Sequence, residues 1–153
     1  MSSPEGSTVT IRRAQPDLRP RVLTHFARKL ETEVARGRRF DCLITGDAEL
    51  RKLNREFRGQ DYVTDVLSFR AGELPAAPRS HLGDIAISYQ RARAQALEFG
   101  HGAEDEIRIL MLHGVLHLTG MDHDADDCRM ARAEKRWRAR LRLPRGLIER
   151  VGP

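Results

Sequence analysis

The sequence predicts a single α+β domain with a small mixed four-stranded sheet packed with about five helices. Three observations predict it. The chain has 153 residues, the length of one ordinary domain. Apolar residues make up 40%, enough for a core in a chain that buries roughly two-thirds of its unfolded surface. Short stretches with strand alternation are interleaved, in mixed order, with longer stretches at helical spacing.

Each element follows from a local pattern. Residues 1–7 read as frayed and 145–153 as a tail of the one domain, 1–153. Thr8 to Arg13 is a short strand, with Val9 and Ile11 alternating against polar neighbours. Pro16 and Pro20 lead into a helix over about 20–37, with Val22, Leu23, Phe26, Leu30 and Val34 on one face and Gly37 as its stop. Phe40 to Thr45 is a buried strand. Asp47 then caps a helix carrying Leu50, Leu53 and Phe57. Gly59-Gln60-Asp61 is a loop and Asp65 to Arg70 a third strand. Ala71 to His81, with Pro75 and Pro78, is irregular. Gly83 to Ser88 is a fourth strand, and Ser88 caps a helix that Gly100-His101-Gly102 breaks. Glu104, Asp105 and Glu106 fill the first turn of the next helix, where the dipole favours anions. That helix runs to Leu118, and Gly120 ends it. Asp124 caps a last helix, which begins with Asp126 and Asp127 and ends among Arg136, Arg138 and Arg140.

Composition removes several function classes. The stretch from Met1 to Thr8 is polar and reads as no secretory leader. The longest apolar run, Ile107 to Leu118, is interrupted by Arg108, His113, Gly114 and His117 and is too short to span a bilayer. Cys42 and Cys128 form neither a disulfide framework nor a CxxC site. A cytoplasmic, reducing compartment is expected, with no membrane partner. The net charge is +5, and only three of the 27 cationic residues are lysine (Lys29, Lys52, Lys135). Arginine grips phosphate in a bidentate way, so a polyanionic partner fits, although codon bias in a GC-rich genome accounts for most of the excess. Aromatics are only 5%, so base stacking should be minor and backbone contacts dominant.

Function concentrates in one eleven-residue stretch with three of the six histidines: His113, His117 and His123. His113 and His117 lie at i and i+4 and share a helix face. That spacing lets two ring nitrogens reach one metal ion at about 2.0–2.1 Å. In a continued helix His123 would lie about 9 Å further along the axis. The chain must therefore turn back, and Gly120 supplies the positive φ that the turn needs. This places a metal site at the end of a helix, facing a cleft. Three nitrogen ligands suit one Zn2+, with other late divalent metals as competitors. Three protein ligands with an open position mark a catalytic zinc site, where bound water has its pKa lowered towards 7. His25, His81 and His101 read as ordinary core or surface residues. Cys128 reads as a buried thiol rather than a fourth ligand.

The same spacing occurs in the H-E-x-x-H-x-x-G-x-x-H of metzincin proteases, but Gly114 stands where the protease has its general base. That argues against proteolysis. Asp122 serves either as a base or partner to a ligand ring, or as a cap or turn residue.

The run His113-Gly114-Val115-Leu116-His117-Leu118-Thr119-Gly120-Met121-Asp122-His123 resembles the H-G-x-L-H-L-x-G-[aromatic]-D-H motif of the YbeY family, bacterial rRNA maturation factors with endoribonuclease activity. Leu53-Asn54 with Phe57-Arg58, Asp61, Thr64-Asp65-Val66-Leu67-Ser68-Phe69 and Leu82-Gly83-Asp84-Ile85 resemble other family segments in the same order. The resemblance covers about residues 40 to 137. Val63 and Arg70 stand where the family has Pro, and Met121 replaces the aromatic.

The resemblance implies a compact α+β fold and a zinc-dependent, single-strand-specific endoribonuclease. Such an enzyme matures the 3′ end of small-subunit rRNA and acts in ribosome quality control, with single-stranded RNA and the ribosome as partners. It implies catalytic roles for Arg58 and His113, with His113, His117 and His123 as metal ligands. A guanidinium beside a metal stabilises the charge that develops on a phosphodiester. The alternative is a non-catalytic ribosome-assembly factor in which the metal only staples the helix end to the following loop. The arginines of the last helix read as a solvated face or, alternatively, as a source of contacts to the RNA backbone. Oligomeric state is not legible in the sequence.

Overall fold

The computed structural model of the chain describes residues 6–71, 73, 82–120 and 127–144. Strands β1 (Thr8–Ile11), β2 (Phe40–Thr45), β3 (Val66–Arg70) and β4 (Gly83–Ser88) form one sheet in the order β1-β2-β4-β3. β1, β2 and β4 are parallel, and β3 runs antiparallel to β4. The helices are α1 (Pro20–Glu33), α2 (Asp47–Arg58), α3 (Tyr89–Phe99), α4 (Ala103–Leu118) and α5 (Asp127–Arg140). The class, the mixed four-stranded sheet and the five helices are those that the sequence predicts.

Strand alternation divides the core in two. Phe40, Cys42 and Ile44 of β2 and Ile85 and Ile87 of β4 turn to one face. There they meet Leu23, Phe26 and Leu30 of α1 and the apolar length of α4. Leu67, Phe69 and Ala86 turn to the other face, which α2 covers with Leu50, Leu53 and Phe57. α4 is buried on nearly every side, as expected of a helix through the middle of a domain. Burial pushes the Cys42 thiol up to about 12, so it behaves as a small hydrophobe.

Three local expectations change. First, Gly46 rather than Asp47 is the N-cap of α2. Asp47 is already helical, and its carboxylate accepts from the Ser88 hydroxyl at 2.6 Å. Ser88 itself caps α3 as expected, accepting from the Arg91 N–H. Second, α1 ends at Glu33, short of Gly37. The Leu30 carbonyl takes the N–H groups of both Val34 and Ala35, which closes the last turn early. Arg36 and Gly37 then share the left-handed turn, at φ 54° and 88°. Third, Ser7 does not fray. It is buried, donates its hydroxyl to Glu31 at 2.6 Å and accepts from the Phe40 N–H at 3.0 Å. Residues 1–5, the 145–153 tail, His81 and the Asp124 cap lie outside the described residues.

At the head of α4, Glu104 accepts from the Arg19 backbone N–H at 2.8 Å and pairs with its guanidinium at 2.6 Å. Burial raises its pKa, but the Arg19 hydrogen bonds and charge outweigh burial and hold the carboxyl below its ordinary value. A depressed carboxyl adds stability above the ordinary carboxylate range, and that stability is lost as pH falls through the folded value. Glu104→Gln should therefore lower Tm at neutral pH and flatten the fall of Tm on acidification, read by thermal melts across pH. Among the described residues no helix is long and apolar enough to cross a membrane.

Candidate metal centre and cleft

α4 delivers two imidazoles to one place. His113 and His117 sit one turn apart near its C-terminal end, with ring centroids 4.7 Å apart. Their Nε2 atoms face each other at 3.2 Å. Two ligands of a tetrahedral cation at 2.0–2.1 Å lie about 3.3 Å apart, so this pair has the spacing and the donor chemistry of a divalent metal site. Gly120 takes φ 104° just beyond the helix, the positive φ that the sequence assigns to it, and the path from there to His123 lies outside the described residues. His123 and Asp122 lie outside the described residues, as does the side chain of Cys128. Among the described residues no three His, Cys, Asp or Glu side chains converge on one point.

The far side of His113 is held by a residue that the sequence reading passes over. Glu134 of α5 is buried, and its Oε2 lies 3.1 Å from His113 Nδ1. A carboxylate only accepts, so the Nδ1 carries the proton and Nε2 keeps its lone pair towards the cleft. The signal was available. Met130, Ala133 and Trp137 form the inward stripe of α5, and Glu134 is the one carboxylate within it. Among the other histidines, His101 is paired with buried Glu106 at 2.6 Å and His25 is exposed, both as the sequence reading had them.

Arg58 reaches the same cleft from the opposite layer. It ends α2, where Gly59 closes the helix in the left-handed conformation. Its guanidinium lies 4.7 Å from the centroid of the Phe69 ring, donates to the Ser68 carbonyl and pairs with Glu73 at 2.7 Å. Ring, carbonyl and carboxylate fix a side chain that would otherwise sweep freely. A cavity of about 370 Å³ lies between Arg58, Ser68, Arg70, His113 and His117. The structure thus brings Arg58, His113 and His117 to one cleft.

Other quoted residues serve as scaffold. Buried Asn54 donates to the Tyr62 carbonyl, and its own carbonyl receives the Gln60 N–H, so it ties the loop after α2 to the helix. Phe57 packs edge-on against Phe69 at 5.7 Å. Asp61 accepts from Arg51 at 2.8 Å, which holds its carboxyl below the ordinary range. At Gly83 a Cβ would lie 2.3 Å from the Phe69 carbonyl oxygen, so only glycine fits where β4 passes β3 and Leu118.

Comparison with known proteins identifies the family. The family description "Endoribonuclease YbeY" matches residues 6–142. The endoribonuclease YbeY of Solibacter usitatus is 65% identical over 99% of both chains. That of Koribacter versatilis is 51% identical over 71% of this chain and 68% of its own. The solution structure of TM1509 from Thermotoga maritima superposes with a TM-score of 0.57 at 27% identity, covering 88% of this chain and 92% of that one. By the family match and by identity along nearly its whole length, the chain belongs to the endoribonuclease YbeY family.

Proposed function

We propose that the cleft between α2 and α4 cleaves phosphodiester bonds of single-stranded RNA, with one Zn2+ held by His113, His117 and His123. The substrate in this reading is ribosomal RNA, in maturing the 3′ end of the small-subunit rRNA, with the ribosome as partner and the cytoplasm as compartment. The observation that carries it is the convergence of two imidazole Nε2 atoms at 3.2 Å in the cleft that also holds the Arg58 guanidinium.

A divalent cation bound there would supply Lewis-acid charge stabilisation and a water nucleophile usable at neutral pH. The chain's own groups do the rest. Arg58 presents N–H donors to the non-bridging oxygens of the phosphate, and its contact with Phe69 and the Ser68 carbonyl aims it before substrate arrives. Glu73 occupies the guanidinium until a phosphate takes its place. Glu134 keeps the His113 proton on Nδ1, away from the cleft. The cleft is lined by Val66, Leu67, Ser68 and Arg70 of the edge strand β3, which suits an unpaired strand bound by its backbone.

The test is cleavage of single-stranded and duplex RNA of one sequence by the purified protein, with and without chelator. Expected are cleavage of the single strand alone, loss of activity in chelator, and recovery on adding Zn2+. Cleavage that persists in chelator and in His113→Ala would contradict the proposal. Binding of RNA without cleavage under any cation would favour the metal-stapled assembly factor instead.

A further inference from the structure

Helix α5 turns Glu134 inward and several of its cations outward. Glu134, Met130 and Ala133 are buried. Arg132, Lys135, Arg136 and Arg140 are all exposed. Arg132, Arg136 and Arg140 follow one another at i, i+4 and i+8, so they line one side of the helix over about 12 Å. Arg132 and Arg136 each stand two residues from Glu134, which places them on the side of the helix away from it. Arg140 is steadied over the Trp137 ring at 5.2 Å.

Elsewhere several arginines meet carboxylates, Arg12 with Glu49, Arg19 with Glu104, Arg51 with Asp61, Arg91 with Asp47 and Arg108 with Asp105, while others such as Arg13, Arg21 and Arg38 make no ion pair among the described residues. What sets this face apart is that its exposed cations follow one another along a single side of one helix. Arg132, Lys135, Arg136 and Arg140 make no ion pair with a carboxylate among the described residues. Like charges at i and i+4 repel. The helix dipole offsets this only in the last turn, where Arg138 and Arg140 lie. A solvated helix face ordinarily intersperses the two signs, and this one does not. Its cations are comparable to the net +5 of the whole chain.

We propose that this face of α5 docks the sugar–phosphate backbone of the RNA substrate outside the segment held in the cleft. The inference rests on reading the cleft as an RNA site. The position favours RNA over other polyanions, because the same helix holds His113 from behind through Glu134. The stripe is therefore separated from that imidazole by at least the diameter of α5, about 10–12 Å, and a strand reaching it passes around the helix. Flanking nucleotides of a strand in the cleft can span that distance, whereas a short oligonucleotide cannot. The aromatic of α5, Trp137, is half-buried with Arg140 over its ring, so binding there is electrostatic and carries no base preference.

The experiment is equilibrium binding of two 2′-O-methyl single-stranded oligonucleotides across a salt series. One is just long enough to fill the cleft and the other is several times longer. Wild type is compared with the triple variant Arg132→Gln, Arg136→Gln, Arg140→Gln and with the triple Arg→Lys variant, after thermal melts confirm that all three fold. For the long oligonucleotide, the slope of log affinity against log salt should be shallower by about 2 in the Gln variant, from about 0.7 for each lost phosphate contact. The Lys variant should keep the wild-type slope, and the short oligonucleotide should not distinguish the three proteins. Equal slopes for the long oligonucleotide, with the short one still bound, would overturn the inference and leave the cleft reading intact. Equal slopes together with a selective loss of binding to phosphatidylserine vesicles would assign the face to a membrane and overturn it too. Wild type that binds neither length would overturn both readings.

Discussion

Arg58→Ala should lower kcat on single-stranded RNA by about 10²–10³-fold, the usual loss when one preorganised donor to a developing oxyanion is removed. The guanidinium is the fixed cation of the cleft. It lies against Phe69, donates to the Ser68 carbonyl and pairs with a carboxylate that a phosphate can displace. A phosphodiester gains negative charge on its way to the transition state, and a donor already in place needs no reorganisation then. Arg58→Lys should recover little, because an ammonium lacks the planar fork that meets two phosphate oxygens and rests on a ring. Because the side chain is partly exposed, Tm should fall by only a few degrees. Single-turnover cleavage beside a thermal melt reads both quantities. A large Tm loss with unchanged kcat would make Arg58 a structural residue.

Gly114→Glu should prevent folding rather than create a protease. The position follows the first imidazole of the metal pair, where the metzincin pattern carries its general base. Here α4 lies against the sheet at that point. A Cβ on residue 114 would meet Ile85 Cδ1 at 3.0 Å and the Ser68 hydroxyl at 3.1 Å, and the Gly114 carbonyl accepts from that hydroxyl at 3.3 Å. A methyl alone is a modest insult. Overpacking costs about 1–3 kcal/mol, and replacing a helical glycine by alanine returns about 1 kcal/mol, so Gly114→Ala should lose at most a few kcal/mol. A glutamate adds more atoms and a carboxylate with no partner in an apolar layer, at several kcal/mol. That approaches the whole 5–15 kcal/mol stability of a domain. Soluble yield and far-UV circular dichroism measure the outcome. A folded Glu variant that hydrolyses casein would overturn this account of the position.

These two residues also mark what the sequence made legible. The i, i+4 histidines and Gly120 could be placed because helix geometry and positive φ are local properties. Strands β2 and β4 were bounded correctly because alternation inside a buried sheet leaves little freedom of register. The end of α1 was misplaced because two glycine-compatible turn residues, Arg36 and Gly37, share a bend that the Leu30 carbonyl starts earlier. Glu134 was missed for a different reason. Its meaning lies in a contact 21 residues away, and along the sequence the only cue is that it is the one acid on the inward stripe of α5. The necessity of Gly114 was equally hidden, since it comes from the approach of β3 and β4 rather than from the helix that carries it. The family resemblance named Arg58, and tertiary structure supplies the reason: α2 lies on the opposite side of the sheet from α1, and only the end of that helix reaches the imidazoles.

The central claim is that imidazoles of one short stretch share a single cation. Metal content of the purified protein by atomic emission tests it most directly, for wild type beside His113→Ala, His117→Ala and His123→Ala, each verified as folded. The account predicts close to one equivalent of zinc in the wild type and a strong loss in every variant. Equal metal in all four proteins would contradict it.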